Sequence, residues 1–406
     1  MYLTFAWRYF KAKKSTNAIN IISWVTAGVI AFSTMCQVLV LSVFNGFEDL
    51  VRSLYSNFYT DIRIEAANGK TINLTASQIN DIRNQPGIKN VSVNAEEKAL
   101  LQNGELQTVV FLKGVDESYR EVSGVSRNMQ NGSYQIGTVD TPLLILGSGV
   151  ENALSIQADK NLSGITVFLP KRTAANETDP LASLSEGNAN TAGSFSIQQD
   201  FDDKYVITNI DFVKQQMNFK ADEYSSMEMG LKDPSTTEDK KKLIQNYLGK
   251  NYKVKTKYEQ NTTLYNSMRL EKWAIFAIMT LVLIIAAFTM ISALTMLVLE
   301  KRKDISVLQA LGASQNLIKK IFLSEGLILA VVGATAGFML ALIICFLQTK
   351  FKLVKIEGNS FLIDYYPVKL LVTDFLLVAF TAVLIALLGS WFPAQKASTQ
   401  PFQLRN

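Results

Sequence analysis

Hydrophobic positions divide this chain into two kinds of region. Four windows carry no charged residue: residues 15–47, 273–299, 326–349 and 375–395. Each is about as long as a helix must be to cross roughly 30 Å of hydrocarbon, which takes about 20 residues. Between the first and second windows the pattern changes to short runs in which apolar and polar positions alternate, the signature of half-buried strands. Strands are expected at residues 61–65, 91–101, 107–114, 165–169, 195–197, 205–207, 225–231 and 252–257. Helices are expected at 76–84, 149–157, 211–216 and 236–248. Asn103-Gly104 supplies a hairpin turn between two of the strands. The pattern therefore predicts an α-helical membrane protein with four transmembrane helices and a large α+β domain, residues 48–270, inserted between helices 1 and 2 with helical stalk ends. Helix 3 is expected over 321–349, helix 4 over 375–395, a short loop over 350–374 and a tail over 396–406.

Residues 300–314, EKRKDISVLQALGAS, stand between the second and third windows. Lys301, Arg302 and Lys303 follow the apolar run directly, between Glu300 and Asp304. Ile305, Leu308 and Leu311 then recur every three residues, as on one side of a short helix. Gly312 sits where a left-handed C-terminal cap is expected. A short amphipathic helix joining two spans can dock on a soluble partner and pass that partner's motion to the membrane; the same pattern also fits a solvated loop.

Charge fixes the expected orientation. Arg8, Lys11, Lys13 and Lys14 precede the first window, Lys301, Arg302, Lys303, Lys319 and Lys320 lie between the second and third, and Lys396 and Arg405 follow the fourth. The positive-inside tendency places those segments and both termini in the cytoplasm. Residues 1–14 mix aromatics with cations, which suits an amphipathic elbow helix at the interface. The first window lacks a small-residue cleavage site and is read as an uncleaved anchor.

Candidate chemistry is narrowed by what is missing. The chain has no histidine, which removes Ser-His and Cys-His catalysis and most zinc sites. Its two cysteines, Cys36 and Cys345, fall inside apolar windows, so the inserted domain holds no disulfide. No phosphate-binding G-x-x-x-x-G-K-[ST] loop occurs, so any ATP chemistry belongs to another subunit. No catalytic residue, no metal and no cofactor in this chain are expected, and no nucleic-acid partner. Residues 171–194 are poor in large apolar side chains and read as an unstructured excursion. Glu325, one turn inside the third window, reads as an interfacial ion pair with nearby lysines. Gly333 and Gly337 allow close helix contact, and Pro393 is expected to help end the fourth helix.

With these parts in place, the chain resembles the FtsX-like and MacB-like group of ABC transporter permeases. EKRKDISVLQALGAS is similar to that group's coupling stretch, and FPAQKASTQPFQLR to its closing P-A-x-x-A-x-x-x-P-x-x-L-R pattern. Within the group, ISWVTAGVIAFSTMCQVLVLSVFNGFED, LEKWAIFAI and FLIDYYPVKLLVTDF resemble the lipoprotein-releasing, Lol-type permeases, as do LILGSGVENALSI and GITVFLPKR more loosely.

The resemblance implies a multi-pass protein of the bacterial inner membrane whose α+β domain is periplasmic. The implied partners are two cytoplasmic ABC ATPase subunits (LolD-like) that bring ATP and Mg, a second permease, either itself or a sibling, an acylated lipoprotein and a periplasmic carrier (LolA-like). It also implies a carrier-holding hook, for which residues 171–194 are the candidate excursion, with Lys171, Arg172, Pro180, Leu181 and Leu184 as candidate contacts. Lifting several acyl chains from a bilayer costs well above roughly 10 kcal/mol, at about 0.8 kcal/mol per methylene, so an apolar refuge is needed. Leu39, Val43, Phe44 and Phe47 of the first span and Phe276 and Met279 of the second are its candidates. Two other functions fit the same layout: an FtsX-like relay controlling cell-wall hydrolases, and MacB-like efflux.

Overall fold

A computed structural model describes residues 17–160, 164–171, 184–356 and 364–400, with side chains from Ile21 onward. The elbow expected over residues 1–14 lies outside them. Two compact units emerge, one from residues up to Leu50 together with those from Asn266, the other from Val51–Tyr265.

The first unit is helical: α1 (Asn17–Phe58), α2 (Thr262–Glu300), α3 (Arg302–Ala310), α4 (Gln315–Phe351) and α5 (Val372–Ser398). All but α3 are long and apolar enough to cross a membrane. α1 continues past its uncharged window to Phe58, and α2 begins before its own at Thr262. Ala27 and Ile30 of α1 share a core with Met290, Leu294 and Val298 of α2, Ile318, Phe322 and Leu329 of α4, and Ala394 and Ala397 of α5. Small residues set the helix spacing. A Cβ on Gly337 would come 2.0 Å from Thr34 Oγ1 and 2.4 Å from Ala31 O, and one on Gly333 2.9 Å from Ala27 O. The G-x-x-x-G pair thus seats α4 on α1 within the chain.

Pro393 does not end α5, which continues to Ser398. A proline inside a helix forfeits one hydrogen bond and crowds the carbonyl four residues back. Here that residue is Gly389, and the extra turn buries Ala394 and Ala397 completely.

The second unit is α+β, built on a large mixed sheet. Its strands are β1 (Ile62–Ala66), β3 (Ile88–Asn103), β4 (Leu106–Val115), β5 (Met129–Gly132), β6 (Leu143–Gly147), β7 (Ile165–Pro170), β8 (Leu184–Phe195), β9 (Tyr205–Asn209), β11 (Ser226–Leu231) and β12 (Tyr252–Thr256). Two short strands, β2 (Ile72–Asn73) and β10 (Glu223–Tyr224), pair apart from it. The order is β12-β1-β11-β3-β4-β9-β6-β8-β5, with β7 bridging β3 and β8. Only β4–β9 and β6–β8 are parallel among these pairs. The Asn103-Gly104 turn joins β3 to β4, with Asn103 opposite Leu106.

Two expectations fail here. Of the strand expected at 195–197 only Phe195 is in a strand, as the end of β8, which takes the supposed unstructured excursion from Leu184 onward and pairs with β7 from Ile165↔Ala189 to Pro170↔Leu184. β8 reads as loop because its residues are small. A Cβ on Gly187 would meet Gln216 Nε2 at 2.7 Å, and one on Gly193 would meet Asn131 O at 2.4 Å, so close neighbours demand glycine where hydropathy sees nothing. The helix expected at 149–157 stops at Ala153, because Ser155 turns to φ +51°.

Candidate functional site

α3 follows α2 almost without a break: Glu300 closes α2 and Arg302 opens α3. Lys301 bridges to Asp304 at 3.2 Å across the first turn, and Arg302 and Lys303 are exposed. The far end turns sharply. Gly312 has φ +88° and open space around its Cβ position, so the backbone alone selects glycine there. Ser314 then caps α4 by accepting from Leu317 N at 3.3 Å.

The stripe expected along Ile305, Leu308 and Leu311 splits apart. Ile305 is buried (2% exposed) in the core shared with Leu294, Leu297 and Ile318. Leu308 is half-buried, and Leu311 is 80% exposed. At 3.6 residues per turn, positions six apart diverge by about 120°. Four residues return almost to the same side, and Val307, 59% exposed, therefore shares the outward face with Leu311. α3 is consequently two-sided: Ile305 anchors it in the bundle, while Val307 and Leu311 face out.

At the opposite end of the bundle, Leu39 and Val43 line a cavity of about 490 Å³ with Val40, Ile344, Leu347 and Val354. Leu39 and Phe276 pack on the cluster of Val38, Leu41, Ala341 and Val378. Phe47 meets Tyr366 edge-on at 5.8 Å. Phe44 and Met279 are half-buried and join neither the cavity nor that cluster. The six candidates thus converge in part, with α4 as a wall that the sequence did not point to.

A polar junction missed in the sequence ties three helices together at this end. Asn45 Nδ2 donates to Asp374 Oδ2 at 2.6 Å, and Lys272 Nζ donates to Asn45 Oδ1 at 2.8 Å. Lys272 also pairs with Asp374 at 3.1 Å. Lys369 pairs with Asp49, and its amide donates to Ser42 O at 2.9 Å. Asn45 and Asp374 are buried, where polar groups need partners. The only hint in the sequence was one asparagine and one lysine at opposite edges of apolar runs.

Glu325 departs from its expected pairing. It is 3% exposed with Oε2 lacking a hydrogen bond, and among the described residues no lysine lies within ion-pairing distance. Lys319 instead stacks on Trp391, 3.7 Å from the ring centroid. The carboxylate is turned inward beside Gly326, which packs against Ser390. Of the hook candidates, Arg172, Pro180 and Leu181 lie outside the described residues; Lys171 follows β7 and Leu184 begins β8 opposite Pro170.

A second charged cluster lies within the sheet. Lys113 Nζ donates to Glu228 Oε1 at 2.7 Å, and Arg63 reaches Glu228 at 3.2 Å and Glu96 at 3.5 Å. Burial opposes ionisation of Glu228, but Lys113 and Arg63 outweigh it and hold the carboxyl below its ordinary range. Arg63 and Glu96 border a polar cavity of about 290 Å³, while Lys113 and Glu228 are buried, and the cluster ties β1, β3, β4 and β11 together. Among the described residues no group of histidine, cysteine, aspartate or glutamate could hold a metal ion.

Residues 276–402, spanning nearly all of α2 through α5, match the FtsX-like permease C-terminal family. Over 98% of its length the chain is 24% identical to the lipoprotein-releasing system transmembrane protein LolE of Haemophilus influenzae, covering 97% of that protein. It is 26% identical to LolC of Neisseria meningitidis over 97% of this chain and 96% of that one. The periplasmic region of MacB from Actinobacillus actinomycetemcomitans is 18% identical, covering 52% of this chain and 95% of that one at a TM-score of 0.36. The chain is a multi-pass membrane protein that carries the FtsX-like permease C-terminal region and, along nearly its whole length, resembles the lipoprotein-releasing Lol-type permeases.

Proposed function

We propose that this chain is the permease subunit of an ABC transporter that extracts acylated lipoproteins from the bacterial inner membrane and hands them to a periplasmic carrier. The observation that carries this reading is similarity to LolE and LolC across 96% or more of both partners. The termini and α3 face the cytoplasm and the α+β unit faces the periplasm, in line with the placement of Lys and Arg. Two ATPase subunits supply ATP and Mg, and a second permease completes the transporter.

The geometry gives each part a task. Val307 and Leu311 offer the outward face on which an ATPase docks. Ile305 links α3 to α2 and α4 through buried contacts, so a push on α3 is transmitted to the spans; packed cores switch between discrete arrangements and do not deform continuously. The region around Leu39, Val43 and Phe276 gives departing acyl chains an apolar refuge. The candidate hook is the excursion over residues 171–194, whose second part, from Leu184, is strand β8.

The test is mass analysis of the complex purified through this chain. An ABC ATPase pair with a second permease and bound lipoprotein is expected. Co-purification of a cell-wall hydrolase without lipoprotein would overturn the reading in favour of a signal relay.

A further inference from the structure

The cavity beside α1 has a roof that the transport reading does not use. Gln348, in the last turn of α4 and 7% exposed, is the polar residue of an otherwise apolar stretch. Its amide is fully engaged: Nε2 donates to Val354 O at 2.9 Å and Tyr366 O at 3.1 Å, and Oε1 accepts from Val354 N at 2.9 Å. The segment it grips is a small antiparallel hairpin. Lys355 pairs with Tyr365, Tyr366 N donates to Val354 O at 3.2 Å and Ile356 N donates to Asp364 O at 3.0 Å. Gln348 thereby pins the hairpin over the end of α4 and makes the groove a built feature.

The groove opens between α1 and α4 and its surface is entirely apolar. Such a cavity stays dry, because water there finds no polar partners. Ile344, Leu347 and Gln348 belong to the final turns of the uncharged window, and the charges begin immediately beyond it at Lys350, Lys352 and Lys355. Lys350 lies 5.8 Å and 5.6 Å from the ring centroids of Phe346 and Phe351, and Lys352 lies 4.1 Å from that of Tyr365. All three lysines are exposed, and among the described residues none has a carboxylate within ion-pairing distance. Leu353 and Val354, which line the groove, sit between Lys352 and Lys355 in the hairpin.

An apolar slot at the edge of the hydrocarbon with a cationic rim at headgroup level matches one chemistry: a hydrocarbon chain joined to a phosphate. We propose that this groove is a binding site for a resident membrane phospholipid, with one acyl chain between α1 and α4 and its phosphodiester on the Lys350, Lys352 and Lys355 rim. The groove shares Leu39 and Val43 with the proposed acyl refuge, so the phospholipid is its resting occupant, displaced when a cargo chain enters; its presence requires only that the helices cross a bilayer.

The test is native mass spectrometry of the full chain released from membranes in mild detergent, with extracted lipid assayed for phosphorus. Wild type should retain a phospholipid. Leu347→Trp, which fills the groove from α4, should lose it, whereas Val331→Trp, an equal change at an exposed α4 position outside the groove, should keep it. Replacing the three lysines by glutamine should lower retention at least about tenfold, since cations at the membrane surface attract an anionic headgroup. Equal retention by Leu347→Trp and Val331→Trp, a lipid-free wild type, or an adduct without phosphorus (detergent, or an acylated peptide) would overturn the proposal. Matching thermal unfolding of the two tryptophan variants excludes misfolding as the cause.

Discussion

Ile305 and Leu311 lie six residues apart and have opposite fates, which decides what each substitution does. Ile305→Ala empties a packed site and should lower bundle stability by about 2–5 kcal/mol. Leu311→Asp changes a side chain that is 80% exposed, so unfolding should be unaffected while ATPase association and substrate-stimulated hydrolysis are lost. Thermal unfolding together with hydrolysis in the reconstituted complex separates the two; a stable Leu311→Asp chain with normal stimulation would remove Val307 and Leu311 as the docking face. Charge in the sheet gives a second test at this scale. Because Glu228 is held below its unfolded value of about 4.3 by Lys113 and Arg63 despite burial, its stabilisation is complete above that pH and is lost as pH falls through the folded value. Hydrogen-exchange protection factors in β1 and β11, which remove the pH dependence of intrinsic exchange, should fall below about pH 4, and Glu228→Gln should destabilise these strands at neutral pH by about 3 kcal/mol. Protection factors that stay flat as the pH is taken from well above to well below about 4.3 would contradict this.

Among the elements, the long helices were legible because a membrane span writes an uncharged window of fixed length, and the uncharged windows fall within α1, α2, α4 and α5 apart from the first two positions, which precede Asn17. Alternation located much of the sheet for the same kind of reason, since strands such as β1 and β7 bury alternate residues. β8 was hidden because its specification lies in the closeness of neighbours, which asks for glycine and alanine and leaves no periodic signal. The Asn45, Lys272 and Asp374 junction was hidden because three distant segments compose it. Asp374→Asn removes the charge that Lys272 meets at 3.1 Å while keeping its shape. It should loosen the ends of α1, α2 and α5 by about 2 kcal/mol, the range for a hydrogen bond to a charged group. Faster exchange at residues 42–49 is the expected readout; unchanged protection there would show that the junction holds nothing together.

For the whole molecule, the sequence supplied the layout and the family resemblance, and the structure sorted the candidate site. A short helix lies where the cations and Gly312 indicated, but its outward apolar face is Val307 with Leu311, legible only when four-residue spacing is weighed above three; that face is the proposed docking surface. The candidate acyl refuge keeps Leu39, Val43 and Phe276 and gains α4, a partner that no local pattern could name because the contact is made in three dimensions through Gly333 and Gly337. On the account given, α3 is a lever fixed to the bundle on one side and offered to an ATPase on the other. The measurement that bears most directly on it is release of lipoprotein from vesicles holding this permease, its sibling or second copy, and the ATPase, with a soluble carrier outside. ATP-dependent release of the acylated lipoprotein, abolished by Leu311→Asp, is the predicted result. ATP hydrolysis that proceeds with no release, or release equally fast from the Leu311→Asp chain, would contradict it.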